Sequence, residues 1–252
     1  VLFRSGSAPV NRPAAPEKFE SVHSRTNPFK AEVLETINLN GHGSKKETRH
    51  LELSLEGSGL TYEPGDSLGI YPENDSALVD LLMEHLHWDP ETVVTLNKLG
   101  QRLPLKEALT SYYEITVLTK PLLEKVSQLS EKEELKLVSA SYFEGRDLID
   151  LVRDFGTWGN SAQEFVSVLR KMPARLYSIA SSIAANPDEV HVTIGAVRYD
   201  AHGRERKGVC SIFCAEGVQP GDTLPVYIQH NENFKLPKNH ETPIIMVGPG
   251  TG

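Results

Sequence analysis

The hydrophobic period of this chain changes twice, and that double change limits its fold more than any other feature. Residues 29–38 (FKAEVLETIN) and 47–55 (ETRHLELSL) alternate apolar and polar, so each predicts a strand, with a hairpin turn over Asn40–Ser44. A second turn, Tyr62-Glu63-Pro64-Gly65-Asp66, leads into a short strand over 67–71 closed by Pro72. Between Pro72 and Pro173 the spacing becomes helical. Asp75-Ser76 can cap a helix that carries Leu78, Leu81, Leu82, His85 and Leu86 on one side. Further helical segments are expected near 105–110, 120–128, 130–137, 145–154 and 161–171, with Glu131-Lys132-Glu133-Glu134 as a solvated helix face. After Pro173 the alternation returns over 175–182 and 189–197. Residues 198–207 then predict a polar hairpin turn with Gly203 at its tip, followed by a short helix beyond Gly208 and a strand over 223–229. The expected fold is mainly β: an antiparallel barrel interrupted by an all-α insertion.

The two ends read differently. Residues 1–8 (VLFRSGSA) look like the remnant of a tag or a removed segment, and 8–28, with Pro9, Pro13, Pro16 and Pro28, predict an extended linker. A linker there implies that a preceding domain is absent. Pro243-Ile244-Ile245-Met246-Val247 has the apolar run of a buried parallel strand, and Gly248-Pro249-Gly250-Thr251-Gly252 resembles the opening of a nucleotide phosphate loop. The expected division is 1–28 remnant and linker, 29–74 first part of the barrel, 75–172 helical domain, 173–242 second part of the barrel, and 243–252 the start of a truncated nucleotide domain.

Composition excludes several classes of function. The 252 residues carry a formal net charge of −8, which argues against a general nucleic-acid surface. No apolar run approaches the ~20 residues of a membrane span. Two cysteines, Cys210 and Cys214, are too few for a disulfide framework or a metal site and read as free thiols of a reducing cytoplasm. Among the residues that usually carry catalysis, no Ser/His/Asp or Cys/His set stands out, and His230 reads as a surface residue.

The chemistry concentrates in Arg175-Leu176-Tyr177-Ser178-Ile179-Ala180-Ser181-Ser182. Read as a strand with one polar face, this stretch offers a cation, an aromatic ring and a hydroxyl. A flavin dinucleotide requires such a set for its pyrophosphate, its ring system and its redox-active ring edge. Gly208-Val209-Cys210-Ser211 is the second piece. Glycine lets a ligand approach the backbone, the helix that follows presents free N–H groups to an anion, and Ser211 can cap that helix or donate to phosphate. Between the two lie Thr193-Ile194-Gly195, a strand segment whose glycine marks a close approach, and Tyr199, whose ring suits stacking on a base.

In this order, RLYS, TIG, Tyr199, GVCS and the terminal GPGTG resemble the FAD module of the diflavin reductases, within the ferredoxin–NADP reductase superfamily. The helical insertion is similar to the connecting domain of that family. IQHNENFKLP at 228–237 and RLYSIASS with EVHVTIGAVRYD most resemble its sulfite-reductase flavoprotein branch. The resemblance implies that Arg175 binds the pyrophosphate, Tyr177 packs on the isoalloxazine, and Ser178 bonds near its redox-active nitrogen. Leu176 belongs to the same segment. Thr193, Ile194 and Gly195 would line the cofactor, Tyr199 would stack on adenine, and Gly208, Val209, Cys210 and Ser211 would hold the phosphates. Thr116, in Tyr-Glu-Ile-Thr of the insertion, matches a position near the FAD. The family reaction carries hydride from NADPH to FAD and then single electrons through FMN to a hemoprotein that reduces sulfite. A chain lacking the FMN domain and most of the NADPH domain is expected to keep only the FAD station and to be inactive with NADPH. Two other readings remain open: another diflavin reductase of the cytochrome-reductase type, and a non-catalytic flavin-binding assembly module.

Overall fold

The computed structural model describes residues 21–239 and 241–248. Most of the expected linker and the end of the glycine loop therefore lie outside the described residues. β1 (Phe29–Asn38) is the hub of the sheet. Its first half pairs with β10 (Thr223–Gln229) and its second half with β2 (Thr48–Ser54), and the register shifts between Val33 and Glu35. β3 (Ser67–Ile70) extends the sheet beyond β10 and is joined in turn by β6 (Arg175–Ser178), while β7 (Glu189–Gly195) pairs with β2. All pairings are antiparallel, in the order β6-β3-β10-β1-β2-β7. Period-2 alternation turns Leu51 and Leu53, Val190, Val192 and Ile194, and Leu224 and Val226 to one buried face. At Gly69 a Cβ would lie 2.3 Å from the Tyr227 ring opposite it, so only glycine lets β3 lie under that ring.

The expected barrel is not fully closed. Its two edge strands meet through one isolated bridge, Ile179 to Val192, with Ala180 N–H donating to His191 O at 2.8 Å. Beyond that bridge no continuous ladder joins β6 and β7. α6 (Val209–Ile212) and the π-helical turn Phe213–Gly217 add their Cys210 and Cys214 to the sheet's core. Ser181 pins the bridge. His191 N–H donates to Ser181 Oγ at 2.9 Å, and Ser181 lies 2.6 Å from the Tyr62 hydroxyl, which donates to Glu189 O at 2.9 Å.

The insertion has its own core, built on α1 (Ser76–Leu86), α2 (Leu105–Ser111), α3 (Lys120–Ser130), α4 (Leu148–Phe155) and α5 (Ala162–Ser167). Trp158 stacks on Phe165 at 4.4 Å inside it. It is not all-α. β4 (Val93–Thr95) and β5 (Arg102–Pro104) form a short hairpin, where β-branched residues and the turn ending in Gly100 favour extended backbone. Residues 133–137 and 140–143 are 3-10 turns.

The hairpin β8 (Arg198–Ala201) and β9 (Arg204–Lys207) fastens the sheet to the helices. Arg206 reaches Asp147 at 2.5 Å and Asp150 at 2.9 Å, and Arg204 reaches the same pair at 2.7 and 3.0 Å. Asp147 and Asp150 form the capping box of α4 and accept these guanidinium donors as well. The expected polar hairpin over 198–207, with Gly203 in its turn, is thus present, and its arginines are committed to the helices. The apolar run 243–247 is corrected: it forms no strand, and Ile245, Met246 and Val247 are exposed. A buried parallel strand needs neighbours for its backbone groups, and the described residues supply none.

Candidate functional site

The site is built at the two edge strands of the sheet, β6 and β7. Antiparallel parity sends the N–H and C=O of one residue to the same side, alternating along the strand. His191 uses both groups on the β6 side, with Ser181 and Ala180. Thr193 and Gly195 therefore turn their backbone groups to the same side. Thr193 is half-buried, and the Ile194 side chain points into the core, so that only its neighbours present themselves to a ligand. Of the expected lining set Thr193, Ile194 and Gly195, Ile194 is the one whose side chain is buried in the sheet's core.

β6 divides its residues by pleat. Arg175 and Tyr177 share the half-buried side, while Leu176 and Ser178 share the exposed one. The expected single polar face holding Arg175, Tyr177 and Ser178 is corrected, because period 2 puts Ser178 beside Leu176. The Tyr177 hydroxyl meets the Cys210 thiol, and burial holds its phenol well above its ordinary pKa. The hydrogen bond between Cys210 and Cys214 lowers the Cys210 thiol and raises that of Cys214. Both cysteines are free and buried.

Arg175 is not a lone cation. Its Nη2 lies 3.3 Å from Glu114 Oε2, and the Glu114 side chain is fully buried. The other oxygen of Glu114 accepts from Thr116 N–H at 2.9 Å and Thr116 Oγ1–H at 2.6 Å. One carboxylate thus joins Thr116 of the insertion to Arg175 of the sheet, 61 residues apart in sequence. Glu114 is the residue that sequence reasoning missed. Its neighbour Thr116 was singled out, but nothing local indicates that a carboxylate two residues earlier turns inward.

Gly208, Val209, Cys210 and Ser211 open α6. A Cβ on Gly208 would lie 2.7 Å from Ser211 Oγ and 3.0 Å from Val197 Cβ, so the glycine is required by packing. Ser211 is buried and its hydroxyl is engaged at home, accepting from Val197 N–H at 3.2 Å and donating to Gly208 O at 3.1 Å. Of the two expected uses of this hydroxyl, helix capping is not observed, and its bonds here run to Val197 and Gly208. Gly208 N–H donates to Val197 O at 2.9 Å, while the N–H groups of Val209, Cys210 and Ser211 have no intrahelical acceptor.

Beside this opening lies a cavity of about 560 Å³ between the start of α1, the β8–β9 hairpin and α6. Thr116, Tyr199 and Val209 line it together with Arg146, Lys207 and Phe213. The Tyr199 ring is half exposed, as a stacking surface must be. Arg175, Tyr177 and Thr193 stand outside that lining, on the edge strands β6 and β7. The expected residues therefore fall into two adjoining groups, linked by Glu114 and by the turn at Gly208.

His230 is exposed, as expected, but its Nδ1 lies 2.9 Å from Asp66 Oδ2. Asp66 also receives Asn231 N–H at 3.0 Å and Lys235 Nζ at 2.5 Å, so one buried carboxylate holds the loop 230–235. No helix among the described residues is long and apolar enough to cross a membrane.

The chain matches known proteins over most of its length. The chain is 72% identical to the sulfite reductase [NADPH] flavoprotein alpha-component of Bacillus subtilis, over 98% of this chain and 42% of that protein. It is 42% identical to the proteins of the same name from Serratia proteamaculans and Escherichia coli O9:H4, over 92% and 95% of this chain. The chain spans about two-fifths of the length of these relatives. The FAD binding domain family matches residues 21–213, which contain both groups of the site, and the chain belongs to that family.

Proposed function

We propose that this chain is the FAD station and connecting region of a sulfite reductase flavoprotein alpha-component. The observation that carries the reading is Arg175 of the sheet, held at 3.3 Å by the fully buried Glu114 whose other oxygen binds Thr116 of the insertion, next to a cavity lined by Thr116, Tyr199 and Val209. In this reading Arg175 takes the pyrophosphate and Tyr177 packs on the flavin ring. Leu176 and Ser178 stand on the exposed side of β6, where Ser178 can meet a ring edge that reaches around the strand. Tyr199 stacks on adenine at the mouth of the cavity, and the backbone of Gly208, Val209, Cys210 and Ser211 takes the phosphates. Thr116 supports Arg175 through Glu114. FAD, when bound, supplies the two-electron acceptor and one-electron donor chemistry; the residues supply binding, orientation and charge.

The finer architecture follows the same reading. The six-stranded sheet, with its edges meeting at one bridge, would form the flavin-binding barrel, the region 75–172 its connecting domain, and 243–252 the opening of a nucleotide-binding domain. In the whole protein NADPH would reduce FAD, FMN would follow, and a hemoprotein subunit would receive the electrons in the cytoplasm. Titration of the chain with FAD and FMN tests the assignment: FAD should bind more tightly, and dithionite should bleach it. Equal affinity for the two flavins would contradict a pyrophosphate site.

A further inference from the structure

We infer that the outer face of β2 and β7 carries a site for a divalent transition-metal ion of the zinc class, formed by His50, Glu52 and His191. The register places Glu52 directly opposite His191, and His50 lies two residues along β2 on the same face. Directly opposed residues of an antiparallel pair have Cβ atoms about 4.5–5.5 Å apart, which brings three side chains together without any loop. One donor atom from each of the three lies within 4.8 Å of the others. Glu52 Oε1 is shared, at 2.9 Å from His50 Nε2 and 3.8 Å from His191 Nδ1.

Two imidazoles and a carboxylate are a ligand set that zinc accepts at about 2.0–2.2 Å, leaving a fourth position open. Bonds of that length bring neighbouring donors to about 3.3–3.5 Å, so the observed spacing requires only small side-chain adjustments. A second observation points the same way. The other nitrogen of the His191 ring, Nε2, lies 2.9 Å from Glu189 Oε2. A carboxylate on the far nitrogen of a metal-binding histidine fixes the tautomer and strengthens the ligand. The His50 and His191 rings already stand edge to face at 5.3 Å, with the Nδ1 of His191 turned to Glu52. The bound ion would tie edge strand β7, which carries Thr193 and Gly195, to β2. Its binding would therefore raise the stability of that edge by mass action.

The test is a Zn²⁺ titration of the purified chain against a chromophoric chelator, paired with nitrogen-detected NMR of the histidine rings. One equivalent should bind, and the ring nitrogens of His50 and His191 should shift in the wild type. His50→Gln and His191→Gln should each weaken binding at least tenfold, and Glu189→Gln by about ten- to a hundredfold. Circular-dichroism melting of each variant without metal identifies any that fails to fold, and the wild-type ring shifts decide the matter independently of the variants. Absence of a stoichiometric site, ring shifts confined to other histidines, or folded variants that bind zinc as wild type does would each overturn the inference.

Discussion

Replacing Arg175 with alanine separates two roles that the structure combines in one side chain. Outward, the guanidinium is the proposed partner of the FAD pyrophosphate. A hydrogen bond to a charged group is worth about 1.5–3 kcal/mol. At about 1.4 kcal/mol per factor of ten, its loss should raise the FAD dissociation constant roughly ten- to a hundredfold. FMN lacks a pyrophosphate and should lose much less. Inward, Arg175 pairs at 3.3 Å with a fully buried Glu114 carboxylate. Breaking a fully buried pair costs about 3–5 kcal/mol. The Arg175 side chain is 37% exposed, so solvent screening reduces the expected loss of stability to about 1–2 kcal/mol. Arg170, 3.7 Å away and half exposed, is a poor substitute. Flavin titrations give the first quantity and urea unfolding the second. The double variant Arg175→Ala/Glu114→Gln should recover stability without recovering FAD affinity. Equal losses for FAD and FMN would refute the outward role, and an unchanged unfolding midpoint would refute the inward one.

Tyr177→Ala should raise flavin fluorescence and weaken FAD by about 1–3 kcal/mol, as loss of an aromatic stacking partner does for nucleobases; fluorescence titration reads both. Arg206→Ala should cost about 3 kcal/mol in urea unfolding, the low end for a buried pair, because Arg204 still contacts both Asp147 and Asp150. Acid should destabilise the fold in a defined window. Burial pushes the Asp66 carboxyl up, but Lys235, His230 and backbone donors outweigh it, and Asp150 is likewise lowered despite burial by the Asp147 backbone and Arg204. Their folded pKa values lie below the unfolded value of about 4, so the stability they contribute is present above pH ~4 and lost as pH falls through the folded values. Asp66→Asn should flatten the acid limb of the melting temperature measured from pH 7 to pH 2, and an unchanged limb would count against this role for Asp66.

Much of the sheet was legible because one buried face imposes period 2. β1 and β10 match the expected ranges, and β2, β3 and β7 differ only at their ends. The expected hairpin over 198–207 also formed, but the partners that bury Arg206 sit near residue 150, a distance that local pattern cannot bridge. The β4–β5 hairpin was hidden inside a helical context, and only the β-branched run Val93–Thr95 signalled it. Within the site, residue types were readable but their directions were not. Ser178 and Ile194 follow the pleat of their strands, and Ser211 spends its hydroxyl on Val197 and Gly208. Glu114 was illegible because its partners come from both sides of the insertion's end, and Ser181 because its bonds cross from β6 to β7.

The visible absorption spectrum of the purified chain, with the cofactor extracted and identified, tests the central claim most directly. The account predicts flavin bands that dithionite bleaches and an extract containing FAD, or full uptake of FAD by protein purified without it. A colourless chain that fails to take up added FAD would contradict it.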